Sequence, residues 1–236
     1  MAGDEGVLPG REDGDVRLDD LLRDLRSPDD RTRENAACSL RELVLGADDE
    51  ARCRAVLRDA LRDANATVRY YAVQGLGRVG DAALLAAVHD PGAPVRREAV
   101  ALIGALHDAE RIVWAEGLAA EVDLALAPAD VSLDAALQAL RGTLTDPSFE
   151  VRVATFHALG AMGPRARAAV PVLLTALEDA AVAVRALAAE ALGRIGTEAR
   201  AALPLLRRIA ADETQEDHAR ESALAAIAAI EGEPAP

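Results

Sequence analysis

Between Leu173 and Gly196 the chain reads LLTALEDAAVAVRALAAEALGRIG, and its apolar positions mark out two helices. Leu173 to Glu178 closes the first, and Asp179 opens a tight turn. In the second, Val184, Leu187, Ala188, Ala191, Leu192 and Ile195 fall at i, i+3, i+4, i+7, i+8 and i+11. That spacing lays one apolar stripe along a helix of 3.6-residue period. Gly193 and Gly196 are expected to permit the left-handed turn that ends it. A hairpin with one apolar stripe per helix cannot bury both stripes by itself, so it needs copies on either side.

The copies are present. Val68-Arg69, Val95-Arg96, Val151-Arg152 and Val184-Arg185 align, with weaker versions at Thr32-Arg33 and Ala219-Arg220. Three residues after each arginine stands Ala36, Ala72, Ala99, Thr155, Ala188 or Ala223, and seven after it Leu40, Leu76, Ile103, Leu159, Leu192 or Ile227. Six residues before the arginine stands Asp63, Asp90, Asp146 or Asp179, a spacing that only the terminal copies lose. Each aspartate is expected at a helix N-cap, where its carboxylate accepts orphan backbone N–H groups. The arginines can then pair with aspartates of their own and neighbouring turns, as a structural ladder.

The phase breaks once. From Arg96 to Arg152 there is room for two copies, yet one valine–arginine pair is present. The intervening segment, residues 107–130, holds the one tryptophan, Trp114. It is expected to form one or two helices over about Ala109 to Leu126 and to break at Pro128. Residues 1–17, rich in Gly, Asp and Glu, are expected to be a disordered acidic tail, with helices beginning near Leu18. The repeats are expected over 18–230, followed by a frayed tail at 231–236.

Composition agrees with helices. Hydrophobic residues make up 51% of the 236 but aromatics 2%, so alanine, leucine and valine must fill the core. These are strong helix formers or small enough for close helix packing, and strand-like β-branched runs are missing. All 26 basic residues are arginine, and the formal net charge is −14. That balance argues against nucleic acid, whose phosphates need a positive surface. No apolar run approaches the about 20 residues of a membrane span, and the N-terminus lacks signal-peptide features. Cys38 and Cys53 form no CxxC pattern and read as reduced thiols of a cytoplasmic protein.

The pattern D-x5-R-x2-A-x3-LG, with Gly77-Arg-Val-Gly80, Gly160-Ala-Met-Gly163 and Gly193-Arg-Ile-Gly196, resembles the HEAT repeat. More narrowly it is similar to the short HEAT-like type first associated with phycobilisome lyases. The resemblance spans about Leu18 to Ile230 in six copies. It implies an all-α fold, a right-handed α-solenoid (superhelix) of about six HEAT-like helical hairpins with one irregular segment. Its family includes scaffolds, lyases, regulators and occasional enzymes, so fold alone does not assign a function.

In such arrays the second helices line the concave face. Opposite the apolar stripe stand Tyr70, Val73, Gln74 and Gly77, then Arg97, Val100, Ala101 and Gly104, then Val153, Phe156, His157 and Gly160, then Ala186, Ala189, Glu190 and Gly193; the first copy supplies Glu34 and Arg41. An apolar centre with a polar rim is the make-up of a binding patch. Tyr70, Val100 and Phe156 are expected as apolar anchors beside Val73, with Gln74, Arg97, His157 and Glu190 as polar contacts. The expected function is a non-catalytic module holding a partner protein or peptide. The alternative is a small-molecule enzyme or lyase using Glu98, Arg97, Tyr70 and His157 in acid–base roles.

No cofactor or metal is expected. HEAT-repeat hydroxylases that bind two irons carry His-Glu pairs where this chain has Glu34-Asn35, Tyr70-Tyr71, Arg97-Glu98 and Glu221-Ser222. No P-loop, GxSxG, HExxH or GxGxxG motif occurs.

Overall fold

A computed structural model describes residues 12–40, 47–108 and 130–232. The Trp114 segment, Arg41 and the ends of both expected tails lie outside the described residues. Those described fall into two compact units that divide between Val79 and Gly80, and contain helices and turns with no strand.

The first unit holds α1 (Glu12–Asp24), α2 (Asp30–Leu40), α3 (Ala47–Ala60) and α4 (Ala66–Arg78). Helix α1 starts at Glu12, inside the stretch expected to be a tail. Its Leu18 and Leu22 are buried, as are Leu25 directly after it, Val56 and Leu57 of α3 and Val68, Ala72 and Leu76 of α4. Cys38 and Cys53 are both free thiols. Burial pushes the Cys53 thiol up to about 11, with Glu50 adding to the shift, so it packs as a small apolar group.

The second unit opens with a single turn, α5 (Leu84–Ala87), ahead of α6 (Ala93–Leu106). After α7 (Leu133–Thr143) and α8 (Phe149–Ala161), 3-10 turns at Gly163–Ala169 and Gly196–Ala202 lead into the next hairpins. These are α9 (Val170–Ala176) with α10 (Val182–Ile195), and α11 (Leu203–Ala211) with α12 (Asp217–Glu231). The second helices pack in order, α6 on α8, α8 on α10 and α10 on α12. Ile103, Leu140, Leu159, Leu173, Leu192 and Ile195 are completely buried between the layers. Each contributes about 1.5–3 kcal/mol relative to exposure.

Thr155 replaces the alanine of the other copies, and a second threonine accommodates it. Its hydroxyl lies 2.8 Å from that of Thr143, while Thr143 Oγ1 reaches Leu140 O and Thr155 Oγ1 reaches Val151 O. The buried oxygens are thereby satisfied.

The paired glycines have separate tasks. Gly80, Gly163 and Gly196 take positive φ after their helices, where a side chain would be strained. Gly193 stays helical: a Cβ there would lie 3.0 Å from the Ala226 backbone on α12. The turn expected of both Gly193 and Gly196 is therefore made by Gly196 alone.

The aspartates also need correcting. Asp63, Asp90, Asp146 and Asp179 each accept, at 2.7–2.8 Å, the backbone N–H two residues on. They make Asx turns, and the N-caps are the residues reached, Asn65, Gly92, Ser148 and Ala181. The aspartates stand two residues before the observed cap because the chain must reverse before the helix can start. The arginine closes the same turn: Nη1 of Arg69, Arg96, Arg152 and Arg185 donates to the carbonyl of that aspartate at 2.7–2.8 Å. At two steps the ladder reaches the next turn, with Arg33 Nε to Asp63 and Arg96 Nε to Asp146, both at 2.7 Å.

These bonds make stability depend on pH. The Arg96 hydrogen bond holds the Asp146 carboxyl below its ordinary value, outweighing burial. Burial pushes Asp63 up, but Arg33 and the Asn65 N–H together bring it below the ordinary value. A carboxyl with a lower pKa folded than unfolded stabilises fully above its unfolded pKa, about 3.9, and the contribution fades as pH falls through the folded value. Buried His107, held low first by desolvation and then by the Arg165 charge, starts an earlier slope below about pH 6.5. Urea midpoints measured against pH should therefore fall in two stages. Asp146→Asn should make the stage below about pH 4 shallower and leave the His107 stage in place; an unchanged lower stage would refute the ladder's role.

Candidate functional site

The second helices of the second unit leave a groove between α6 and α8, of about 660 Å³. It exists because the two helices come unusually close. Gly104 of α6 sits against Ala158 of α8, so closely that a Cβ on Gly104 would fall 2.5 Å from the Ala158 Cβ. The floor is made of Ala101, Gly104, Ala105, Val153, Ala154 and Ala158, and the charged edge of Arg97, Glu98, Asp108 and Glu150.

Phe149, the first residue of α8, stands on the lip with 42% of its surface exposed. The Arg152 guanidinium lies 5.3 Å from its ring centroid. Glu150 beside it receives the Ser148 hydroxyl at 2.6 Å, and that bond keeps its carboxyl below the ordinary value. Along its length the groove is an open trough bordered by exposed Arg97, Ala101, Phe149, Glu150 and His157.

The residues expected from sequence divide four ways. Arg97 and His157 line this groove together. Glu190 lines a second, smaller hollow of about 380 Å³ between α10 and α12, with Gly193, Arg194 and Ala225. Tyr70 and Gln74 belong to the first unit, where the Gln74 amide donates to the Tyr70 hydroxyl at 3.1 Å. The Tyr70 ring also meets Tyr71 edge-on, with centroids 5.7 Å apart. Val73, Val100 and Phe156 are buried. As anchors they are corrected: their position faces the interior, because these helices pack against a second helix of a neighbouring copy (α4 on α2, α6 on α8, α8 on α10) as well as against the first helix of their own hairpin. Phe149 was missed because it lies between the turn aspartate and the valine–arginine pair, ahead of the apolar stripe that the periodicity marks.

Layered helical hairpins whose second helices border a groove define the α-solenoid class. A family model for HEAT repeats matches residues 18–104 and 133–228, and the chain belongs to that family. A search of the curated proteins finds no match. Among solved structures, computationally designed armadillo repeat proteins for modular peptide recognition are 21% identical, with 90% of this chain and 99% of that one covered and a TM-score of 0.56. An archaeal HEAT-like repeats protein from Thermococcus onnurineus NA1 is 15% identical over 93% and 91% of the chains, TM-score 0.51. The karyopherin Kap121p, bound to the extreme C-terminus of the protein phosphatase Cdc14p, is 14% identical over 93% of this chain and 24% of its own, TM-score 0.58. At these identities the likeness shows the fold.

None of the described helices is long and apolar enough to cross a membrane.

Proposed function

We propose that the chain is a non-catalytic binding module that holds a segment of a partner protein in the α6–α8 groove. The observation that carries this reading is Phe149, an exposed aromatic on the lip of an apolar trough in a chain with 2% aromatics. Large exposed side chains beside a shallow apolar floor and a charged edge are what interfaces use as anchors. Val153 supplies the neighbouring apolar contact, and Arg97, Glu98 and His157 set the partner's register by polar contacts. Two of the solved relatives carry peptide recognition or a bound protein terminus in their descriptions, which supports the same use here. The open trough favours binding over acid–base chemistry, which works best where water is excluded.

The test is recovery from native extract. Proteins retained by the wild-type chain should fall at least tenfold, about 1.4 kcal/mol, with Phe149→Ala combined with Val153→Ser. Both side chains are accessible to solvent, so the unfolding midpoint should stay close to wild type. A double variant that recovers the same proteins in the same amounts overturns this placement of the site.

A further inference from the structure

The arginine ladder lacks a rung at Arg185, and a pocket stands there. At Arg33 and Arg96 the Nε–Nη2 edge of the guanidinium holds the next turn's aspartate by two bonds. Arg33 reaches Asp63 at 2.7 and 3.1 Å, and Arg96 reaches Asp146 at 2.7 and 2.8 Å. Arg185 uses Nη1 to close its own turn as they do, at 2.8 Å from Asp179 O and 3.0 Å from Ala180 O. The next turn, however, has Thr214 six residues before Arg220, where the inner turns have aspartate. Arg185 Nε is consequently buried with no hydrogen-bond partner. Arg152 differs: its guanidinium lies beside the Phe149 ring, and none of its nitrogens is buried without a partner.

The pocket, of about 310 Å³, lies between the turn after α9 and the turn after α11 and shares no residue with the α6–α8 groove. Its floor is Leu177 and Ile209, both buried. Gln215, also in its lining, has a buried Oε1 without a partner. The Gln215 Nε2 donates to Asp212 Oδ2 at 3.1 Å, which fixes the direction of the amide. The carboxylates of the lining are engaged elsewhere. Asp212 accepts the Thr214 hydroxyl and N–H, which with Gln215 hold it below its ordinary value. Asp179 accepts the Ala181 N–H at 2.8 Å, and Glu178 pairs with Arg208 at 2.8 Å. One strong donor and one acceptor are left, and a buried polar atom without a partner is costly.

We infer that this pocket binds a carboxylate that carries an N–H donor on a neighbouring atom. The carboxylate docks on the Nε–Nη2 edge of Arg185, as Asp63 and Asp146 dock on Arg33 and Arg96. The N–H donates to Gln215 Oε1. Charge requires that second group: Arg185 and Arg208 against Glu178, Asp179 and Asp212 leave the lining at −1, so a bare anion is poorly held. Free amino acids carry this chemistry in their own carboxylate and ammonium. Acidic residues of a polypeptide carry it in the side chain and the backbone N–H.

NMR of the full chain tests this, following the Arg185 Nε–H resonance identified by its loss in Arg185→Lys. The probes are acetate, glycine and aspartate blocked at both ends. Glycine or the blocked aspartate should move that resonance with a Kd of about 1–10 mM, at least about tenfold tighter than acetate. Glycine binding assigns the pocket to free amino acids, and blocked aspartate to acidic residues of a polypeptide. Thr214→Asp should abolish the response, because it returns the repeat's own carboxylate to Arg185. Thr214 is exposed, so the urea midpoint of this variant should equal or exceed that of wild type. Gln215→Ala should reduce glycine and blocked aspartate to the level of acetate. A resonance that none of the probes moves, binding that survives Thr214→Asp, or acetate bound as tightly as the other two overturns the inference.

Discussion

Phe156→Ala should lower the unfolding free energy by about 3–5 kcal/mol, while Phe149→Ala, seven residues earlier on the same helix, should change it by about 0.5–1 kcal/mol. The two phenylalanines look alike in sequence and differ in where the helix points them. Phe156 is 2% exposed and is the largest fully buried side chain described. Phe156 is a large ring in a core made of smaller aliphatic side chains, which must move to refill the space of a lost ring. The cost of a truncation depends on how far its surroundings collapse, so this site should fall toward the upper part of the range. Urea unfolding followed by circular dichroism measures both variants on one scale. A loss below about 1 kcal/mol for Phe156→Ala would mean the ring is not in the core. The same pair should invert in a binding experiment, with Phe149→Ala weakening partner recovery at nearly unchanged stability.

That contrast shows how far the sequence could be read. The hairpins were legible because alanine, leucine and valine recur at helical spacing, and the arginines fixed the register between copies. The stripe itself was drawn too narrow. In an isolated amphipathic helix the side opposite the stripe is free, so Val73, Val100 and Phe156 were placed at the surface. In a solenoid each second helix touches its own first helix and a second helix of a neighbouring copy. Only a thin strip remains outside, represented by Arg97, Glu98 and Ala101 on α6 and by Val153, Ala154 and His157 on α8. Arg97 and His157 were found because they belong to both descriptions. The valines and Phe156 lay one step around the helix, which is enough to change lip into core. Phe149 has no counterpart in the apolar stripe; its signal is an aromatic directly after the turn at Ser148, in a chain with 2% aromatics.

The aspartates and glycines were misplaced for a related reason. Residue type announced a turn at Asp63, Asp90, Asp146 and Asp179, yet whether the carboxylate serves the cap or the residues before it depends on backbone direction, which composition does not encode. Likewise GxxG contains one glycine that turns the chain and one that admits a neighbour, and only packing tells them apart.

The glycine that admits a neighbour gives the second large effect. Gly104→Ala should destabilise the chain by about 2 kcal/mol, although alanine is favoured over glycine by about 1 kcal/mol inside a free helix. The added Cβ would fall 2.5 Å from the Ala158 Cβ and 2.8 Å from its Cα. Neither atom is the far end of a flexible side chain, so α6 and α8 must separate, carrying their completely buried Ile103 and Leu159 with them. Gly142→Ala on α7 is the matched control, since nothing lies within 4 Å of its added Cβ; it should stabilise by about 0.5–1 kcal/mol. Ala158→Gly combined with Gly104→Ala should recover part of the loss, and a double-mutant cycle measures the coupling directly. Gly104→Ala behaving like Gly142→Ala would show that the helices are farther apart than described. The groove would then lose its origin as well, because its alanine floor is shallow only while these two backbones touch. Stability and binding are thus tied at one atom: a substitution that never reaches the lip should alter partner recovery by spreading the walls on which Arg97, Phe149 and His157 stand.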